Sequence, residues 1–159
     1  MKKVLFLLVL CLMMLGLKAQ PAESSPTYLL GLWYSDSLGA CEESLAQTGF
    51  VYSQQNSDGA EMYIPDGSAN LGFDIDAVLL YFENGRDELT NWAVCFNRST
   101  DYDVEQEVNN LLTQLHGAGT YSEDIAGYYW EFDDNHMLAA QYNDAGNLFI
   151  AEYGTVFDE

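Results

Sequence analysis

A β-hairpin centred on Asn84–Gly85 is the sequence feature that most constrains the fold. Two runs rich in Val, Leu, Tyr, Phe and Trp flank this dipeptide within Asp76–Asn97. Asn and Gly accept the positive φ values that a type I′ turn requires, so the chain can reverse there without strain. Both runs are apolar at odd and at even positions, which is typical of strands inside a sheet rather than at its edge. The sequence therefore predicts an antiparallel sheet built around this hairpin.

Further strands are predicted on both sides of the central hairpin. A second hairpin is predicted over His136–Tyr153, with its turn near Asn143, and it follows an aromatic strand at Gly127–Phe132. Two earlier strands are predicted at Phe50–Gln54 and Glu61–Ile64, because β-forming residues are bounded there by turn residues.

Two helices precede these groups of strands. Asp103–His116 carries apolar residues at i, i+4, i+7, i+8 and i+11, which form a single stripe along one side of a helix. Leu38–Thr48 is a shorter candidate with a similar stripe. The order of elements predicts an α+β fold of two short helix-then-antiparallel-strands units (αβββ repeated), with the helices packed on one face of antiparallel sheet. The halves, about 38–97 and 101–154, would form a single domain over 36–159.

This repeated order of elements resembles exported PepSY-like and β-lactamase-inhibitor-like tandem α+β domains over Leu38–Tyr153. The resemblance is one of pattern, and no functional residue is carried over with it. It implies helices on one face of a shared or paired antiparallel sheet, with the opposite face free to bind. It also implies a binding or inhibitory role rather than catalysis.

The first 19 residues have the layout of a signal peptide. Two lysines form a positive n-region, Val4–Leu17 forms an apolar h-region, and Ala19 is a small residue at the cleavage point. The apolar run is shorter than the roughly 17–25 residues of a membrane span. We therefore expect an exported protein, periplasmic or extracellular, without membrane association after cleavage; an uncleaved signal anchor is the alternative. Residues 20–35 would form a lead and, at Tyr28–Tyr34, a first strand; a segment that packs on the core is the alternative for this aromatic-aliphatic run.

The charge of the remaining chain is strongly negative. Cleavage removes every lysine and leaves two arginines, Arg86 and Arg98, against 25 acidic residues, a formal charge of −23. A surface of this sign repels nucleic acid and anionic membranes, and it attracts cationic proteins over long range. We therefore expect a cationic protein partner. The alternative is that the acidity serves only solubility.

Two cysteines follow the signal peptide, Cys41 and Cys95. An even number in an exported chain predicts one disulfide, which would tie the first helix to the central hairpin. Two buried free thiols are the alternative.

Catalytic and metal-binding patterns do not emerge from the sequence. Three close acidic pairs are present: Asp74 with Asp76, Asp101 with Asp103, and Asp133 with Asp134. None has the spacing of a calcium loop, and His116 and His136 lack a third zinc ligand at a recognisable spacing. The chain has no Gly-x-Ser-x-Gly motif, Gly-rich phosphate loop or basic patch. We therefore expect no enzyme activity, no metal site and no cofactor.

A partner-binding patch is predicted on the aromatic strand of the second half. One parity of that strand must face the core, while the other carries Tyr129 and Glu131, a combination of aromatic and acidic residues suited to a protein interface. We predict that these two residues, together with Tyr128 and Trp130, contact the partner. The predicted function is an acidic, exported protein-binding module, such as an inhibitor or immunity-type protein against a cationic partner.

Two alternatives to this function remain. The first is an envelope or surface accessory protein with no specific partner. The second is a lipocalin-like carrier of an apolar ligand, suggested by Gly31-Leu32-Trp33, which matches the Gly-x-Trp that opens lipocalin barrels.

Overall fold

A computed structural model describes residues 28–69 and 72–155. Its elements are a 3-10 turn (Leu29–Gly31), helices α1 (Leu38–Gln47) and α2 (Val104–His116), and strands β1 (Phe50–Gln55), β2 (Glu61–Pro65), β3 (Ile75–Glu83), β4 (Glu88–Asn97), β5 (Thr120–Ser122), β6 (Gly127–Glu131), β7 (His136–Tyr142) and β8 (Leu148–Thr155). The predicted signal peptide lies outside the described residues. None of the helices in the described ranges has both the length and the apolar character needed to cross a membrane.

The predicted α+β fold class was wrong. Strands account for 42% of the structure and helices for 21%, and all eight strands form one antiparallel sheet in the order β1-β2-β3-β4-β8-β7-β6-β5. The protein is therefore mostly β. The physical reason is that β4 and β8 pair with each other, which joins two four-stranded meanders into one continuous sheet.

Of the two interpretations of Tyr28–Tyr34, the strand was wrong, because the chain forms the 3-10 turn there, and the segment that packs on the core is confirmed, since Leu29, Leu30 and Leu32 are buried in it. Leu30 has a φ of 65°, which is incompatible with an extended strand. A strand that the sequence did not predict is β5, whose three residues are too few to show a reliable alternation.

The central hairpin is confirmed. Asn84 and Gly85 have φ values of 50° and 74°, as the sequence required, and the chain reverses between β3 and β4. The register places Val78 opposite Val94. β4 then pairs with β8, so the hairpin occupies the middle of the sheet. The apolar residues at both odd and even positions of its strands indicated this central position.

One side of the sheet, named here the covered face, packs against both helices and the N-terminal turn. Trp92 of β4 and Tyr153 of β8 stack at its centre with ring centroids 4.6 Å apart. From α2, the apolar stripe buries Val104, Val108 and Leu112 in the same core. The helices thus bury one face of the sheet, and the opposite face is left without a covering element among the described residues.

Acidification should weaken the covered-face core through His116. The Nε2 atom of His116 lies 3.0 Å from the hydroxyl of Tyr153, whereas its Nδ1 atom is buried without a partner among the described residues. Burial lowers the pKa of His116 below its ordinary 6.5, because the charged ring would be poorly solvated among aromatic rings. The unfolded state therefore binds the proton more readily than the folded state below pH 6.5.

We expect the free energy of unfolding to fall as the pH drops from 6.5 through the lower pKa of His116 in the folded protein. Urea denaturation at a series of pH values measures this. His116→Gln keeps a polar group near the Tyr153 hydroxyl but cannot ionise, so its stability should depend less on pH in that window. Equal pH dependence in the two proteins would contradict the assignment.

Candidate functional site

The second side of the sheet, named here the open face, consists of the residues that alternate along each strand with the core residues. Its residues around the centre are Met62, Leu79, Tyr81, Ala93, Cys95, Tyr129, Met137, Ala139, Ile150 and Glu152. Most are apolar, and eight of the ten are partly buried or exposed: Met62, Leu79, Tyr81, Tyr129, Met137, Ala139, Ile150 and Glu152. An uncovered apolar sheet face of this kind is a feature of interaction surfaces.

Strand register places a single carboxylate in the middle of this face. Glu152 of β8 lies opposite Ala93 on β4 and opposite Ala139 on β7. The row continues outward to Leu79 on one side and to Tyr129 on the other. Small alanine side chains flank Glu152 on both sides, and the larger side chains of the row, Leu79 and Tyr129, lie one strand further out. The carboxylate therefore stays accessible at the centre of the face.

The environment of Glu152 disfavours its ionised form. Although the side chain is exposed, the neighbouring strand residues exclude part of the water around its carboxyl and raise the pKa above its ordinary 4.5. A carboxylate kept in such surroundings gains more from a cationic partner than one that is fully hydrated, because its own solvation is already incomplete.

Acidic groups occur elsewhere on the open face, but arginines do not. Glu131 is exposed on β6, and Asp76 is exposed beside Cys95 on the inner strands. Arg86 forms an ion pair with the buried carboxylate of Glu61. Arg98 donates a hydrogen bond to the carbonyl oxygen of Gly146 at 3.3 Å. Both arginines are therefore held away from the open face, and its described residues present only negative charge.

The predicted Cys41–Cys95 disulfide is not present, because the two thiols lie on opposite faces. Cys41 points from α1 into the core of the covered face, whereas Cys95 alternates with Val94 and Phe96 and points to the open face. Burial, with the charges of Asp76 and Glu152, raises the pKa of Cys95 to about 11. The thiol is therefore protonated at neutral pH and a poor nucleophile.

The structure separates the four predicted partner-binding residues into two pairs. Tyr129 and Glu131 lie on the open face, as their parity indicated. Tyr128 and Trp130 lie on the covered face, where the Trp130 indole nitrogen donates to the carbonyl of Gly117 at 2.9 Å. Only the first pair is placed to contact a partner on the open face, because strict alternation along β6 sends neighbours to opposite sides.

Sequence reasoning did not single out Glu152. Its signal is an acidic residue between apolar ones in Ile150–Tyr153, on a strand whose covered face carries Phe149, Ala151 and Tyr153. Among 25 acidic residues this pattern is easily overlooked, and only the pairing of β8 with β4 and β7 places Glu152 at the centre of the face.

Two of the acidic pairs contain an aspartate with a local structural role. Asp103 caps α2 by accepting a hydrogen bond from the backbone of Gln106 at 3.1 Å. Asp133 accepts from the backbone nitrogens of Asn135 and His136, and His136 also contacts it through its ring. Within 28–69 and 72–155 no three His, Cys, Asp or Glu residues are grouped as a metal site requires.

A concave region lies on the covered face. It is an apolar cleft of about 420 Å³ between α1, α2 and the N-terminal turn, with Leu29, Phe73, Phe96 and Leu111 among its walls. It bears on the lipocalin-like interpretation, which needs a closed barrel around the ligand. The described sheet instead has two edges, β1 and β5, that do not pair with each other.

The resemblance to PepSY-like and β-lactamase-inhibitor-like tandem domains remains a prediction of the sequence pattern. No protein-family model matches the chain, and comparison with the curated proteins and with the solved structures gave no match.

Proposed function

We propose that this protein is a binding module that recognises a cationic protein through the open face of its sheet. The observation that carries the proposal is a broad, uncovered face on which apolar side chains surround Glu152 while both arginines are engaged elsewhere. Inhibition or immunity toward a basic hydrolase or toxin is the form of activity that fits such a face. Export to the periplasm or the extracellular space belongs to the same proposal.

The apolar and acidic parts of the face have different roles in this proposal. Apolar contacts at the centre of an interface exclude water and hold the complex together, so they act mainly on the dissociation rate. Negative charge on a face without cations attracts an oppositely charged partner before contact, so it acts mainly on the association rate.

The alternative of an accessory protein whose acidity serves only solubility explains the charge but not the apolar face. Solubility requires charged and polar surface, whereas Val51 and Ile64, which pair across β1 and β2, are 46% and 38% exposed. The exposure of these two neighbouring apolar side chains on the open face favours a partner there.

Binding should be tested first against a panel of cationic hydrolases and toxins at low and at high salt. We expect the association rate to fall steeply above physiological ionic strength, where the Debye length is below about 8 Å. Glu131→Gln should mainly lower the association rate, and Tyr129→Ala should mainly raise the dissociation rate. Surface-immobilised partners and kinetic biosensing measure both rates.

The matched control is Glu43→Gln, because Glu43 is an exposed acid on α1 and the substitution changes the net charge equally. A partner whose association rate responds as strongly to Glu43→Gln as to Glu131→Gln would be attracted by overall charge. A partner that ignores salt and both open-face substitutions would contradict the proposal.

A further inference from the structure

A small depression next to Glu152 gives the open face a specific point of contact. Its volume is about 180 Å³. It is lined by Asn91, Met137, Ala139, Glu152, Gly154 and Thr155. The lining combines apolar groups with one carboxylate, one amide and one hydroxyl, so it offers both a surface for an alkyl chain and a carboxylate for a cation.

Gly154 lines this depression and lets Asn91 pack closely over it. It is buried in β8, and a Cβ atom at this position would lie 2.8 Å from Nδ2 of Asn91. The absence of a side chain therefore lets the Asn91 amide lie over Gly154, where it forms one wall of the depression beside the carboxylate two residues away. An alanine there would occupy the space and push the Asn91 amide, which is the end of a mobile side chain rather than backbone.

The walls of the depression match the shape of a lysine or arginine side chain. Met137 and Ala139 provide apolar surface along β7, against which the methylene stem of such a side chain can lie. Glu152 provides a carboxylate that can accept hydrogen bonds from the cationic head. Neither arginine of the described chain is close enough to fill this position, since each has its own partner.

We propose that the depression between Asn91, Glu152 and Gly154 binds the side chain of one arginine or lysine of the partner. This inference rests on the proposed function and names the contact at the centre of that interface.

The first test uses a side-chain probe, Nα-acetyl-arginine N-methylamide, in a ¹H–¹⁵N NMR titration. We expect saturable shifts centred on Asn91, Ala139, Glu152 and Gly154, with a dissociation constant of order millimolar. The citrulline analogue, which has the same shape but no charge, should shift these amides much less. Shifts spread over the acidic surface, or equal shifts with citrulline, would overturn the inference.

Two substitutions test the same contact. Glu152→Gln removes the charge, and Gly154→Ala displaces the Asn91 amide that forms one wall of the depression; each should weaken the arginine probe roughly threefold or more. Glu43→Gln on α1 is the control and should leave the probe affinity unchanged. Unchanged affinity in both open-face variants would overturn the inference.

Stability gives an independent readout. The pKa of Glu152 is raised in the folded protein, so the ionised carboxylate costs stability once the pH rises through that pKa. At neutral pH, Glu152→Gln should therefore raise the melting temperature while it weakens the probe. A carboxylate with a purely structural role would instead show a lower melting temperature in the variant.

The inference and the proposed function can fail separately. If a cationic hydrolase binds the open face but Glu152→Gln leaves its affinity unchanged, the depression is not the point of contact while the proposed function stands. If the arginine probe binds the depression but cationic proteins do not bind the open face, the site exists without the proposed function.

Discussion

Leu112→Asp is expected to leave the protein unfolded at 25 °C. Leu112 is completely buried on α2 and belongs to the core of the covered face. The substitution removes a buried leucine, which costs about 2–5 kcal/mol, and introduces a carboxylate without a partner, which costs several kcal/mol more. These losses are comparable with the roughly 5–15 kcal/mol by which such domains are stable.

Far-UV circular dichroism and urea denaturation measure this outcome. The control is Asn110→Asp, which places a carboxylate on the exposed side of the same helix and should change the free energy of unfolding by no more than about 0.5 kcal/mol. Leu111 is only partly buried, so an aspartate there should cost less than one at position 112. A Leu112→Asp variant that melts like the parent would contradict the packing of α2 on the sheet.

Arg86→Met is expected to cost about 3 kcal/mol of stability, toward the low end of the range for breaking a buried ion pair. The Glu61 carboxylate is 3% exposed and pairs with the Arg86 guanidinium, which is 52% exposed. Gln55 donates to the same carboxylate from 3.3 Å but is neutral. Without the arginine, Glu61 is a buried charge with only neutral donors.

Rescue by a second substitution distinguishes this mechanism from a loss of packing. In the Arg86→Met background, Glu61→Gln removes the buried charge and should recover most of the lost stability. Urea denaturation of the two single variants and the double variant completes the cycle. A double variant as unstable as Arg86→Met alone would show that the arginine acts through its stem rather than its charge.

Local features were predictable because they depend on short-range chemistry. Asn84–Gly85 requires positive φ values, and the apolar stripe of α2 has the helical period, so both elements were located from the sequence. The placement of Tyr129 and Glu131 on one face followed from alternation alone. Each of these depends on residues within a few positions of one another.

The sheet as a whole was not predictable because it depends on pairing between distant strands. The contact of β4 with β8 joins residues more than 50 positions apart, such as Trp92 and Tyr153, and it converts two units into one mostly β fold. The same contact places Glu152 at the centre of the open face. It also places Cys95 on the face opposite Cys41, so that the predicted disulfide cannot form without rearrangement.

Ala139→Arg tests the central claim, that the open face binds a cationic protein, most directly. Ala139 lies beside Glu152 on the open face, so an arginine there adds bulk and a repelling charge at the proposed interface. Ala46→Arg makes the same chemical change on the exposed surface of α1 and alters the net charge equally. Circular dichroism checks that both variants fold.

Affinity for the cationic proteins that bind the parent should then be measured for both variants. We expect Ala139→Arg to weaken binding about tenfold or more, equivalent to at least 1.4 kcal/mol, and Ala46→Arg to weaken it only slightly. Equal losses in the two folded variants would contradict the claim, because binding would then depend on overall charge and not on the open face.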